Sequence, residues 1–199
     1  LHPAEPPAIL VVDDKPANLL AVEGVLEPIG AHIVKAHSGE GALRELMQRG
    51  EDFAVMLLDV QMPGLDGFET ARLVRGREAL KYLPIIFLTA VSREEAHIVR
   101  GYAEDAIDYL VKPFHPDVLR SKVKFFVELH RRMLSARRAR AQQELRLDLA
   151  LESADLGSWT WEATSERVTC DARCLDHLGV EPDEELTLRS LRLDDATPP

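Results

Sequence analysis

Short apolar runs alternate with amphipathic stretches from Ala8 to about Leu119, and this pattern restricts the possible fold more than any other feature. It is typical of a βα repeat, in which helices cover a parallel sheet. The first, third and fourth runs are continuously apolar, as strands buried on both faces are. The pattern predicts five strands, at 8–12, 31–34, 53–58, 84–88 and 107–111. Between them it predicts four helices, at 16–26, 38–49, 66–75 and 92–102.

A longer helical pattern begins at Pro116 and runs to about Leu151 without Gly or Pro, which is too long for the last helix of a compact domain. The net charge is +6 over residues 120–150, whereas the segments 1–119 and 151–199 each carry −8. A basic segment between acidic units indicates a helical or coiled-coil linker. Its apolar stripe consists of Leu119, Val123, Phe126, Leu134, Ala141, Leu145 and Leu149.

The pattern changes after Leu151, where residues 157–161 and 167–170 predict a two-stranded hairpin followed by a short helix at 171–178. The acidic residues 182–199 include too few apolar side chains to close a core. We therefore predict a tail at 1–7, one α/β domain at 8–119, a linker at 120–150 and part of a second domain at 151–199. The chain does not begin with Met, which suggests an excerpt of a longer protein.

Polar residues stand where the predicted strands end. Asp13 and Asp14 follow the first strand, Asp59 the third, Thr89 the fourth and Lys112 the fifth. In an open parallel sheet the carboxyl ends of neighbouring strands converge on one crevice, where such folds bind ligands. Three carboxylates, a hydroxyl and an ammonium are therefore expected to meet.

Clustered carboxylates repel one another, and a divalent cation that prefers hard oxygen ligands relieves the repulsion. Mg²⁺ binds through one or two carboxylates and completes its shell with water and phosphate oxygens, so the cluster favours phosphoryl transfer. A carboxylate can itself be the nucleophile and form an aspartyl phosphate. Lys112 and Thr89 would then neutralise and hydrogen-bond the added oxygens.

Four separated segments look like the motifs of bacterial response-regulator receiver domains, in the same order and spacing over about residues 8–120. They are Val11-Val12-Asp13-Asp14, the stretch from Leu57 through Asp59 to Gly67, Leu88-Thr89-Ala90 and Lys112-Pro113-Phe114. The resemblance implies a flavodoxin-like, doubly wound five-stranded parallel sheet of strand order 2-1-3-4-5.

The resemblance also implies the roles of the acidic residues. Asp59 would be the phosphoacceptor. Asp14, Asp59 and the carbonyl of Gln61 would hold Mg²⁺, while Asp13 would act through a water.

The same likeness implies that Lys112 and Thr89 assist the phosphoryl transfer. Tyr109 falls where the family has its switch aromatic, coupled to Thr89 when phosphate arrives. The Lys112–Pro113 bond should be cis, which would aim the ammonium into the site. One departure is Asp105, which stands where many similar domains have Gly, and an altered turn is expected there.

Residues 147–180 look like the opening of a PAS sensor domain, with an entry helix, a strand that carries Trp159 and Trp161, a tight turn and a second strand. The resemblance covers a third to a half of such a domain. Trp residues here are more often core than cofactor contacts, and no cofactor is expected for this part.

Several alternative readings are weaker. Each acidic motif alone could be a helix cap or a turn. A phosphatase with an aspartate nucleophile would have Asp rather than Gln61 two residues after Asp59, and nucleotide-binding folds would show a Gly-rich loop after the first strand. His130 lacks the acidic and Pro neighbours of a kinase phosphohistidine, so we interpret it as structural. The arginines of the linker are interpreted as a solvated helix face rather than a nucleic-acid interface.

The composition indicates which kinds of site and which location the sequence favours. Cys170 and Cys174 lack the spacing and histidines of a zinc site and are expected to be reduced thiols. No apolar run approaches the roughly 20 residues of a membrane-spanning helix, and the start of the chain has no signal-peptide pattern. The sequence therefore predicts a cytoplasmic segment that contacts neither membrane nor nucleic acid.

Together these features predict a phosphoacceptor module that receives its phosphoryl group from a histidine kinase or a histidine phosphotransfer protein. The long helix at 116–151 predicts a parallel homodimer that passes the signal to the PAS-like region. The parent protein could be a hybrid histidine kinase or a cyclic-dinucleotide enzyme. The alternative is a pseudo-receiver that binds partners without phosphorylation.

Overall fold

The computed structural model describes residues 6–90, 108–165, 167–179 and 186–187. Five parallel strands form the main sheet in the spatial order β2-β1-β3-β4-β5, which confirms the predicted doubly wound fold. The predicted strands agree with these five to within two residues at each end. The strands are β1 (Ala8–Val12), β2 (His32–Ala36), β3 (Phe53–Asp59), β4 (Ile85–Thr89) and β5 (Asp108–Val111).

Four helices accompany this sheet within the described residues, and two of them begin at residues whose side chains cap the helix. The Ser38 side chain accepts a hydrogen bond from the Gly41 amide, and Asp66 forms a capping box with Glu69. The predicted helix at 92–102 lies outside the described residues. The helices are α1 (Pro16–Leu26), α2 (Gly39–Arg49), α3 (Gly67–Arg75) and α4 (Pro116–Ser153).

The three central strands, β1, β3 and β4, are buried on both faces, and adjacent residues of each strand point to opposite sides of the sheet. Leu10, Met56 and Phe87 belong to the cluster that includes residues of α2 and α3. Val11, Leu57 and their neighbours form the second cluster with α1 and the first turns of α4. In these central strands, polar side chains are therefore found at the carboxyl ends, where Asp59 ends β3 and Thr89 ends β4.

The apolar stripe predicted along the long helix belongs in part to this core. Leu119 and Val123 are fully buried and Phe126 is nearly so, in the cluster that α4 shares with α1 and the sheet. Leu145 and Leu149, by contrast, are exposed. The receiver core therefore covers the first third of the predicted stripe and leaves these later leucines exposed.

The chain divides into two compact units, residues 1–135 and 136–199. The second unit has an antiparallel sheet of β6 (Trp159–Glu162), β7 (Arg167–Cys170) and β8 (Leu186–Thr187), with α5 (Ala172–Leu178). The hairpin and the short helix were predicted, whereas β8 was not. Cys170 and Cys174 are free thiols. Among the described residues, no helix has the length and apolarity needed to cross a bilayer.

Candidate functional site

The crevice at the carboxyl ends of the strands brings the predicted acidic residues together. Asp13 and Asp14 follow β1, and Asp59 is the last residue of β3, the strand beside it. One carboxylate oxygen of each lies within 4.8 Å of those of the other two. Asp13 and Asp59 are buried, while Asp14 is partly exposed. The sheet topology therefore produces the predicted cluster.

Lys112, which follows β5, reaches across two strands into this cluster. Its Nζ donates to Asp13 Oδ2 at 2.8 Å and lies 3.0 Å from Asp59 Oδ1. Burial acts to lower the pKa of Lys112, but its hydrogen bonds to the two carboxylates outweigh burial and raise it. The side chain is therefore a permanent cation that bridges two carboxylates.

For Asp59, burial outweighs the contacts with neighbouring groups. Burial is the largest influence and raises the pKa of its carboxyl. Lys112 and the Gln61 backbone amide lower this pKa, whereas the charge of Asp13 raises it, and the net effect is an increase. The ionised form of Asp59 is thus held at a cost in free energy. A carboxylate that is poorly solvated and only partly neutralised is a better nucleophile than one in water.

The surroundings of the Asp14 carboxylate indicate whether the cluster suits a cation. Its Oδ1 atom is buried and has no hydrogen-bond partner among the described residues. A buried carboxylate oxygen without a partner is costly. One ammonium against three carboxylates also leaves two negative charges uncompensated. Hard oxygen ligands with spare negative charge fit Mg²⁺, and Asp14 and Asp59 would be the side chains that hold it.

The other predicted residues that the structure describes lie on or beside β3, β4 and β5. Thr89 ends β4 next to Asp59 of β3 and is buried, and its carbonyl accepts a hydrogen bond from the Lys112 amide at 2.6 Å. Gln61 is exposed, and its backbone amide acts to lower the pKa of the Asp59 carboxyl. Tyr109 lies on β5, partly buried against the core. The Lys112–Pro113 peptide bond is cis. Asp105 lies outside the described residues.

Asn18, in the first turn of α1, was not anticipated from the sequence. Its Nδ2 donates to both oxygens of Asp13, at 2.9 and 3.0 Å, and the Lys15 amide donates to Oδ1 at 3.0 Å. These bonds fix the Asp13 carboxylate between α1 and Lys112. In the sequence, this contact corresponds to an amide residue five positions after Asp13. That spacing is too common to indicate a role by itself.

Comparison with known proteins agrees with this geometry. A family model described as the response regulator receiver domain matches residues 9–124. The sensor histidine kinase GacS of Pseudomonas protegens is 34% identical over 156 residues, which is 76% of this chain but 16% of that protein. The phosphate regulon transcriptional regulatory protein PhoB of Rhizobium meliloti is 39% identical over 118 residues, covering 59% of this chain and 51% of PhoB. The chain thus spans about half or less of these relatives.

Solved structures of receiver domains are also similar to this chain. A response regulator receiver domain protein from Methanospirillum hungatei is 34% identical with a TM-score of 0.53, and the match covers 63% of this chain and 97% of that one. The signal receiver domain of a signal transduction histidine kinase from Syntrophus aciditrophicus is 30% identical with a TM-score of 0.55, over 61% of this chain and 89% of that one.

Proposed function

The chain belongs to the response regulator receiver domain family, and on that premise we propose that it accepts a phosphoryl group on Asp59 from the phosphohistidine of a kinase or phosphotransfer protein. The single observation that carries this proposal is the Asp59 carboxylate, buried at a strand end between Lys112 and two further carboxylates. The alternative of a pseudo-receiver lacks support in the chemistry, because the complete set of acidic, Thr and Lys side chains is present.

In the proposed transfer, an Asp59 carboxylate oxygen attacks phosphorus, and the bond between phosphorus and the donor imidazole nitrogen breaks as the new O–P bond forms. Lys112 is already 3.0 Å from Asp59 Oδ1, so its ammonium can neutralise a new phosphoryl oxygen without a large movement. Bound Mg²⁺, held by Asp14, Asp59 and the Gln61 carbonyl with Asp13 acting through a water, would supply electrostatic stabilisation of the transferring group.

In this scheme Asp13 positions Lys112 and takes no part in forming or breaking bonds. Asn18 and the Lys15 amide hold its carboxylate, and the carboxylate in turn holds Lys112. The ammonium therefore stays directed at Asp59 before the donor arrives, which avoids reorganisation during the transfer.

We further propose that the signal leaves through Thr89 and Tyr109, on the adjacent strands β4 and β5, where the phosphoryl group would reposition the Thr89 hydroxyl and the Tyr109 ring. The receiver proper would be residues 8–119, followed by a linker at 120–150 and a PAS-like segment at 151–199. The helix at 116–151 would pair two chains in parallel and relay the change to an output region of a hybrid kinase or a cyclic-dinucleotide enzyme.

The experiment is phosphorylation of the full chain by a small acyl phosphate with Mg²⁺, followed by intact-mass measurement. Wild type should gain one phosphoryl group, and Asp59→Asn should gain none. Asp66→Asn, a change of the same size outside the cluster, should still be labelled. Labelling that persists in Asp59→Asn would refute the assignment and favour another acceptor.

A further inference from the structure

The buried Asp13 carboxylate is surrounded by hydrogen-bond donors, and Asn18 makes two of the contacts. Asn18 Nδ2 lies 2.9 Å from Asp13 Oδ1 and 3.0 Å from Oδ2. The Lys15 amide donates to Oδ1 at 3.0 Å, and Lys112 Nζ donates to Oδ2 at 2.8 Å. The two oxygens of a carboxylate offer about four lone-pair positions, so these contacts occupy them all. Asp13 therefore has no lone pair left for a direct bond to a cation.

The neighbouring Asp14 has the opposite surroundings. Its Oδ1 atom is buried and has no hydrogen-bond partner among the described residues. Burial does not explain the difference, because Asp13 is the more buried of the two. The half-buried Asn18, in the first turn of α1, directs both contacts of its amide to Asp13. Helix α1 thus decides which of the two adjacent carboxylates is available to a cation.

The number of carboxylates that can bind directly influences which divalent cation a site favours. Ca²⁺ takes about six to eight oxygen ligands and accepts several carboxylates in a flexible arrangement, whereas Mg²⁺ keeps several waters and needs only one or two carboxylates. With Asp13 occupied by its donors, Asp14 and Asp59 remain as the direct carboxylate ligands of the cluster. That number suits Mg²⁺ and is small for Ca²⁺.

We propose that Asn18 determines the metal selectivity of this cluster, because its amide keeps Asp13 from binding the cation directly and thereby favours Mg²⁺ over Ca²⁺. The proposal rests on the Mg²⁺-dependent phosphoryl transfer proposed above and adds the residue that sets which ion is bound. Asn18 acts on the cation only through Asp13, so it is a positioning residue.

The neutrality of the Asn18 amide matters for this role. A Lys or Arg side chain could also donate to Asp13, but its positive charge would weaken the binding of every divalent cation. With Asn18, the cluster keeps three carboxylates against the single ammonium of Lys112. The charge of Asp13 therefore still attracts the cation, while its oxygens are held by other donors.

Asn18→Leu removes the donor and keeps nearly the same side-chain size, so it tests the proposal directly. Calorimetric titration of the full chain with Mg²⁺ and, separately, with Ca²⁺ measures the two dissociation constants. Asn18→Leu should lower the Ca²⁺ constant by about tenfold and the Mg²⁺ constant by less than about threefold, because Ca²⁺ gains more from an added carboxylate. Leu20→Ala, at an exposed position of the same helix, should leave the ratio of the constants unchanged.

A double-mutant cycle identifies the ligand that is released. Asn18→Leu would be made in wild type and in Asp13→Asn, and the gain in Ca²⁺ affinity should be absent in the second background, where position 13 has no carboxylate. Asn18→Ala, which removes the same donor with a smaller side chain, should shift the ratio in the same direction as Asn18→Leu. The proposal is overturned if Asn18→Leu changes both constants by the same factor or leaves both unchanged, or if the gain persists in Asp13→Asn.

Phosphoryl incorporation from a small acyl phosphate with Mg²⁺ would be measured on the same samples. If wild type gains one phosphoryl group and Asn18→Leu keeps the wild-type ratio of constants, the role of Asn18 is refuted and the proposed function stands. If the ratio shifts as expected but wild type gains no phosphoryl group, the selectivity role stands and the proposed function is refuted.

Discussion

Gly67 lies directly against the backbone of Asp59. A methyl group added at Gly67 would stand 2.3 Å from the Asp59 carbonyl oxygen and 2.8 Å from Val60 Cα. Both neighbours are backbone atoms, so no side-chain movement can relieve the overlap. The first residue of α3 and the end of β3 therefore set one another's positions, and with them the position of Asp59.

Gly67→Ala should consequently destabilise the first unit by about 2 kcal/mol, because the overlap must be relieved by moving backbone. Gly24→Ala is the matched control. Gly24 lies inside α1 with nothing within 4 Å of an added Cβ, so this change should stabilise by roughly 0.5 kcal/mol. Urea titrations of both variants measure the two free energies of unfolding. Equal effects would contradict the close approach of α3 to β3.

Lys112→Ala should lower the free energy of unfolding by about 2 kcal/mol in Mg²⁺-free buffer, because it leaves Asp13 and Asp59 buried without their shared cation. Lys35→Ala removes a lysine whose bridge to Glu23 is of similar length, 2.9 Å, but lies at the surface. That change should cost less than about 1 kcal/mol. A loss in Lys112→Ala no larger than in Lys35→Ala would mean that the bridge does not hold the two carboxylates.

Asp59→Asn should stabilise the Mg²⁺-free protein at neutral pH, on the order of 1 kcal/mol. The pKa of Asp59 is raised in the folded state, mainly by burial, so folding binds protons between the ordinary pKa of Asp and the raised value. Stability contributed by this group is therefore lost as the pH rises through that window. The gain in Asp59→Asn should disappear at acidic pH, where wild type is also neutral at this position.

Thermal unfolding of both proteins across pH, in the presence of a chelator, measures this difference. The exposed Asp52→Asn serves as the control and should show little change at any pH, because its bridge to Arg49 is at the surface. A gain in Asp59→Asn that grew as the pH fell would have the wrong sign and would exclude burial as the dominant cause.

Asp14→Asn should weaken Mg²⁺ binding by roughly tenfold or more, because it removes one of the two carboxylates available as direct ligands. In wild type, Mg²⁺ should raise the melting temperature, since it binds the folded cluster and not the unfolded chain. In Asp14→Asn the increase should require much higher Mg²⁺, whereas Asp52→Asn should respond as wild type does. The same Mg²⁺ dependence in all three proteins would show that the ion binds without Asp14.

The sheet and the acidic cluster were predictable because local signals agree with the fold. The apolar runs that became β1, β3 and β4 are buried on both faces, and continuous apolar runs indicate such strands without knowledge of their neighbours. Ser38 and Asp66, at the starts of two predicted helices, cap those helices by short-range hydrogen bonds that need no distant residue. Once the strands are parallel, topology brings Asp13, Asp59 and Lys112 to one edge.

Contacts between elements were decided by the tertiary structure alone. Asn18 holds Asp13, Gly67 approaches Asp59 and Lys112 bridges two carboxylates, and each distance depends on how two separate elements dock. Along α4, the sequence identifies Leu119 and Phe125 equally as apolar. Only the packing of the helix on the sheet buries the first and leaves the second in solvent, because periodicity is a local property of the chain and burial depends on distant residues.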